Sequence, residues 1–363
     1  MQWPKHEDHS VQFLRVLGSA QDGGSAISEC FLTASHIFPG DDESWYREWK
    51  EIADINKVRG DLARNLGNYH SAQSNWLRAS NYYRAAAIFL APSDTRRSSM
   101  LKGMQACSHN YLEYRSPVGE IVRIQYSGHD WVEGYFVRAS NALPRTPVVI
   151  CICGPDHFKE EHLHKFLRHA HSRKLSLFAV DLPGQGAAWR RTEGIKQREI
   201  EMSISSCVDY LIARGDVDEG KVAIFGDGLG ASYASRAASV DNRFAAAVCD
   251  GGILDLHERA FLMNSISGCV GPESVKDDIL KLRRHSIARR IQCPILVALG
   301  EHDVFDANHV ADLCNFLEKA GLDIYWKIFQ ATETAASHAH IDNPTLANEF
   351  IFDWIALRLG VRL

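Results

Sequence analysis

The stretch Val222-Ala223-Ile224-Phe225-Gly226-Asp227-Gly228-Leu229-Gly230-Ala231-Ser232 decides how this chain is read. Its first four residues are apolar and predict a buried strand, and the small residues after Gly230 predict a helix. The alternating glycines between them demand a tight turn. Two chemistries use such a turn. A G-x-G-x-x-G/A run brings a phosphate to a helix N-terminus, and Gly226, Gly228 and Ala231 have that spacing. A G-x-S-x-G run presents a serine nucleophile at the apex, and here Gly228 stands in the serine position. The string alone leaves both open.

The surroundings separate them. Continuous apolar runs at 148–153 (VVICIC), 177–184 (LFAVDLPG), 222–228, 244–252 (FAAAVCDGG) and 295–303 (ILVALGEHD) are spaced by helix-length segments. That alternation predicts a mostly parallel sheet buried on both faces. Tyr111–Tyr126 and Gly134–Val137 add strand material ahead of it, and Asn343-Pro344 starts a last helix through Trp354. Upstream, Trp45, Trp49, Ile52 and Ile55, then Leu62 through Ala86, recur at helical steps. One tetratricopeptide-like unit is visible there, too few for a stacked array. The expected class is α/β, with a helical region over 1–110 that opens on a flexible lead-in at 1–30. The core spans 111–363, with an insertion at about 253–290.

Composition narrows the function. The 363 residues carry a formal charge of −5, with 45% apolar and 23% charged side chains. These values fit a globular chain and argue against nucleic acid as a partner. No apolar run reaches the roughly 18 residues of a membrane span, so no membrane contact is expected. MQWPKHEDHS lacks the apolar core of a signal peptide. Nine cysteines without a C-x-x-C pair suit free thiols in a cytoplasmic protein rather than a disulfide framework or zinc site.

A dinucleotide fingerprint normally opens the first βαβ unit, whereas this turn follows at least four candidate strands. Asp250 lies near the spacing of a ribose-binding acid, but Gly251-Gly252 follow it. The dinucleotide-binding oxidoreductase is therefore the weaker alternative. A nucleophile turn should be followed by an acid after a later strand and a histidine before the final helix. Asp303 in LGEHD and His338 in ASHAHIDNP stand in that order behind Gly228.

With these motifs the chain resembles the α/β-hydrolase subgroup that includes 2,6-dihydropseudooxynicotine hydrolase, the fermentation-respiration switch proteins and fungal polyketide-shortening pigment hydrolases. CGPDHFKEEH (153–162) is similar to its G-G-x-[DE]-x-x-K-E loop, and HAHIDNP to its His-Cys-x-x-Asp-Asn segment, which selects His338 over His340. The resemblance spans roughly 45–360. It implies an α/β-hydrolase fold with an N-terminal helical cap and no cofactor or metal. It also implies cleavage of an ester or amide, or of a C–C bond beside a ketone, in a small carbonyl compound. The oxyanion or the substrate would be bound at Gly154, Pro155, Asp156, His157, Asp227 and Leu229.

Gly228 departs from that pattern, because glycine cannot form an acyl-enzyme. Three explanations stay open: a Ser→Gly knockout, a natural hydrolase, lyase or cyclase using His338 and Asp303 without covalent catalysis, or a binding protein without turnover. Asp227 is expected at the surface or in a supporting contact, Ser232 bonded to helix backbone, and Cys249 inert in a strand. His157, His162, His164, His169 and His171 read as a polar helix face, with His157 a candidate substrate contact. Tyr82, Tyr83, His257 and Phe261 are candidate lid residues; Trp76 and Met263 stand in the same balance with plain packing. The N-terminal helices are expected to close the pocket, with homodimerisation the competing role.

Overall fold

The computed structural model describes residue 3 and residues 5–139, 143–154, 157–186, 197–252 and 287–362. Five helices come first: α1 (Glu7–Gly18), α2 (Ile27–His36), α3 (Asp42–Asn65), α4 (Tyr69–Ala87) and α5 (Thr95–Glu113). Asp41 accepts from the Glu43 amide at the start of α3, and Asp94 does the same for Arg96 at α5. Their apolar faces meet in one core holding Phe13, Trp45, Trp49, Trp76, Tyr82 and Met104.

The sheet follows, with β1 (Glu120–Ser127), β2 (Asp130–Val137), β3 (Thr146–Ile152), β4 (Ser176–Asp181), β5 (Val217–Asp227), β6 (Ala246–Asp250), β7 (Ile295–Gly300) and β8 (Ile324–Phe329). The strands lie in the order β1-β2-β4-β3-β5-β6-β7-β8. β1 and β2 pair antiparallel, β2 joins β4 antiparallel, and the pairs from β4 to β8 are parallel. Every residue of β3, β4, β6 and β7 is buried, as expected for strands covered on both faces. One covering layer contains α8 (Gln197–Ile212), α9 (Gly230–Val240) and α10 (Ala307–Lys319). The other contains α6 (Lys159–Lys165), α7 (Leu167–Ser172) and α11 (Pro344–Arg358).

Several expectations change. Residues 1–30 are not a flexible lead-in. They hold α1, a 3₁₀ turn at Ser19–Asp22 and the start of α2. Ser19 and Ser25 both donate to the Val16 carbonyl, Asn81 donates to Ser19 Oγ and the Gly24 carbonyl, and Asp22 pairs with Arg168 at 2.8 Å. The small polar residues that suggested a linker direct their hydrogen bonds inward. Residues 111–113 belong to α5 rather than to a strand, so the helical region runs to Glu113. Its buried Met100, Met104, Cys107 and Leu112 are diluted by polar neighbours, which hid the period. β8 was not anticipated, because its central residues are only half-buried and its apolar run is short. Most of the 253–290 insertion, with His257, Phe261 and Met263, lies outside the described residues.

The helical layer rests on the chain that leaves β3. Phe158 joins the helical core. Glu161, in the first turn of α6, receives Arg15 at 2.6 Å and lies 3.5 Å from Arg84, which is only 1% exposed. Burial would raise the Glu161 carboxyl, but the two guanidinium groups outweigh it and hold it well below the usual carboxylate range. Removing one partner of a buried ion pair leaves the other charge without compensation. Glu161→Gln keeps the shape and the α6 cap but strands Arg84. It should lower stability by about 3–5 kcal/mol, read from the urea midpoint. A loss below about 1 kcal/mol would contradict this anchoring role.

Candidate active site

The turn at the end of β5 is a strand-to-helix elbow. Gly228 has φ +56°, a left-handed conformation that side chains seldom adopt. Its neighbours make the turn tight: a Cβ on Gly226 would come within 2.2 Å of the Gly230 carbonyl, and one on Gly230 within 2.6 Å of the Ile152 carbonyl. At Gly228, by contrast, a Cβ would meet nothing within 4 Å. The apex has a conformation that would strain any residue but glycine, and it is open in space, the property of a position that presents a side chain to a ligand. α9 starts directly behind it, with Leu229 as N-cap.

Two further loops close on this turn. A Cβ on Gly154 would lie 2.8 Å from Leu229 Cβ, so the segment leaving β3 touches the elbow. Gln185, after β4, holds that segment by donating to the Cys153 carbonyl at 2.6 Å while accepting from the Leu182 amide. From the far side, His338 Nδ1 donates to Asp303 Oδ1 at 2.9 Å. The Asp303 side chain is 2% exposed and that of His338 is 43% exposed. The hydrogen bond to Asp303 raises the His338 pKa above its ordinary value, against desolvation, with further help from Asp227 and Asp250.

The structure brings together Gly154, Asp227, Gly228 and Leu229, and forms the His338–Asp303 pair expected from the motif order. Pro155 and Asp156 lie outside the described residues. Asp227 is neither exposed nor peripheral. It is 1% exposed and pairs with Lys165 Nζ at 2.6 Å beneath the turn. Burial would raise its carboxyl, but Lys165, with His157 and His162, brings it down to about 2. Ser232 donates to the Leu229 carbonyl, and burial pushes the Cys249 thiol well up, so neither is an activated nucleophile. Tyr82 and Tyr83 are not lid residues. They are buried in the helical core, donating to Glu29 and Asp54 respectively, and Trp76 donates to Asp61. Aromatic positions on an amphipathic helix pack inward by default.

Lys165, Gln185, Arg15 and Arg84 escaped sequence reasoning, since each acts through a partner distant in the chain. The histidine group was misjudged too. His162, His164 and His169 are buried rather than a solvated face, and His157 Nδ1 is buried with no hydrogen-bond partner among the described residues. Burial pushes His157 down to about 3 and His162 and His164 to about 4. Among the described residues no group of three or more His, Cys, Asp or Glu is placed to hold a metal ion, and no helix is long and apolar enough to cross a membrane.

An eight-stranded, mostly parallel sheet, an elbow at a strand end and a His–Asp pair on later loops define an α/β-hydrolase. Within that class, residues 40–322 match the family described as Esterase FrsA-like, and the chain belongs to it. It is 32% identical over 259 residues to Hydrolase LUC6 of Fusarium sp, covering 69% of this chain and 61% of that protein. It is 31% identical over 278 residues to Hydrolyase poxO of Penicillium oxalicum, covering 72% and 64%. It is 32% identical over 259 residues to 20-hydroxy-prefusarin hydrolase FUS2 of Gibberella moniliformis, covering 69% and 61%. The chain therefore spans less than two thirds of the length of these relatives. In fold it resembles the crystal structure of 2,6-dihydroxy-pseudo-oxynicotine hydrolase, with a TM-score of 0.75 at 19% identity over 95% of this chain and 97% of that one.

The buried histidines make acid stability a test of the site's foundation. Their folded pKa values lie below the unfolded value near 6.5, so the unfolded chain binds more protons between about pH 6.5 and 4. Stability is full above that window and lost as pH falls through it. Four histidines act in this window, His171 at about 4 included, and Asp181, raised by burial to about 6, opposes them, so the slope should approach about 4 kcal/mol per pH unit, measured by urea unfolding from pH 7.5 to 4.5. A flat profile would contradict the burial of neutral imidazoles.

Proposed function

We propose that this chain hydrolyses a small carbonyl compound, an ester or a ketone with a cleavable neighbouring C–C bond, by activating water with His338. One observation carries the reading. A His–Asp base pair is kept intact in the motif order, while the elbow it serves has no side chain and has open space at its apex. The relatives support the substrate class: they carry hydrolase or hydrolyase names, and one name specifies a small molecule, 20-hydroxy-prefusarin.

The geometry suggests the steps. Asp303 accepts from Nδ1 and leaves the Nε2 lone pair of His338 free. Nε2 takes a proton from water as the water oxygen bonds to the carbonyl carbon. The carbonyl electrons move to oxygen, which the Leu229 amide and the N-terminus of α9 stabilise. Collapse expels an alkoxide, or an enolate for a C–C bond, which receives the proton from His338. The products are an acid and an alcohol, or an acid and a ketone. Because Asp303 raises the His338 pKa, the basic form appears only above the ordinary imidazole range, and the rate should climb with pH through that point. The N-terminal helices, resting on the loop after β3, keep the site dry on that side.

A panel of aryl esters and β-diketones tests this. The wild type should turn over without an acyl adduct in intact-mass spectra. His338→Ala should lower kcat at least about 100-fold while analogue binding persists. Gly228→Ser should accumulate an acyl adduct. A silent wild type with an active Gly228→Ser variant would instead identify an inactive serine-hydrolase scaffold. Silence from both would favour the binding-protein reading.

A further inference from the structure

A second histidine–aspartate pair lies behind the first. His340 is 2% exposed. Its Nε2 faces Asp250 Oδ1 at 2.8 Å and its Nδ1 faces the Ala335 carbonyl oxygen at 2.5 Å. A carbonyl only accepts, so Nδ1 carries a proton. A carboxylate also accepts, so Nε2 carries one as well. With Asp250 ionised, the ring is an imidazolium. Burial would lower its pKa, but the Asp250 charge and hydrogen bond outweigh this and lift it to about 9.

The pair sits where the site's parts meet. Asp250 ends β6 in register with Asp227 on β5. The next residue, Gly251, packs so closely on the elbow that a Cβ there would lie 3.3 Å from Gly228 Cα. At the other end, the loop carrying His338 bends through positive φ at Thr334, Ala335, Ala339 and His340. Such residues persist only where contacts hold them. Asp342 accepts from the Ala336 and Ser337 amides, the His302 amide donates to the Ala336 carbonyl, and the Phe329 ring stands edge-on to His340 at 4.9 Å. Among the described residues, His340 ties this strained loop across to β6.

We propose that His340, held as an imidazolium between Asp250 and the Ala335 carbonyl, is a positioning residue that fixes the His338 loop against the elbow and screens His338 from the Asp250 carboxylate. It rests on the reading of His338 as the base. The charged groups facing His338 are Asp303 beyond β7, Asp227 at the end of β5 and Asp250 at the end of β6. Those facing His340 are Asp250 and, opposing it, Lys165 of α6.

The two halves of the pair pull His338 in opposite directions, which a merely structural contact would not do. The test is an NMR titration of ¹⁵N-histidine-labelled full-length protein, with the His338 signal assigned from His338→Gln. Asp250→Asn removes the anion that keeps His340 charged, so both charges of the pair are lost together and the His338 midpoint should stay within about 0.2 units of the wild type. His340→Gln removes the screening cation alone and should raise the His338 midpoint by about half a pH unit or more. The downfield proton of the His338–Asp303 hydrogen bond should persist in His340→Gln, whose amide still reaches Asp250, and vanish in His340→Leu. A His338 midpoint unmoved or lowered in His340→Gln would overturn the proposal. Should Asp250→Asn fail to fold, the His340→Gln shift decides alone. These readings need no turnover, so a failed hydrolase assay leaves them standing and is distinguishable from their own failure.

Discussion

The left-handed turn at Gly228 is the constraint around which the rest is arranged. It lets the chain reverse from β5 into α9 within a few residues, and it works only because Gly226 and Gly230 present no side chains to each other or to β3. That close approach seats the helix N-terminus at the strand ends, next to the loop that leaves β3. The ends of β5 and β6 then lie side by side and place two aspartates, 227 and 250, beneath the site.

Two buried carboxylates so near each other need cations, and the fold supplies one to each. Lys165 comes from α6 to Asp227, and His340 from the loop before α11 to Asp250. A third buried acid, Glu161, is matched by Arg15 and Arg84 from the helical layer. The N-terminal helices are thus bound to the hydrolase core by charge as well as by Phe158. Buried ion pairs of this kind add little net stability over apolar packing, but breaking one is costly. The arrangement favours a fixed geometry over a large stability margin.

Much of this was legible in the sequence because it is local. The strand–turn–helix string, the order of Gly228, Asp303 and His338, and Asn343-Pro344 at the start of α11 each depend on neighbouring residues. What was missed depends on distant ones. Nothing near Lys165 marks it as the partner of a residue 62 positions on. The motif selects His338 over His340, and nothing local marks His340 as the partner of Asp250, 90 positions away. The histidines around α6 read as a polar helix face, since composition does not reveal that α6 is covered by the sheet on one side and by the helical layer on the other. Tyr82 and Tyr83 failed as lid residues for the same reason: an aromatic stripe signals burial without saying in which core.

The central claim is that water, not an enzyme side chain, attacks the carbonyl above Gly228. The most direct measurement is a crystal structure with an aryl trifluoromethyl ketone, which binds as a hydrate where water is the nucleophile and as a hemiketal where a side chain is. The account predicts the hydrate, with one hydroxyl over Gly228 within about 3 Å of His338 Nε2 and the other oxygen facing the Leu229 amide. A covalent bond from the ketone carbon to any side chain, or a ligand bound away from the elbow, would contradict it.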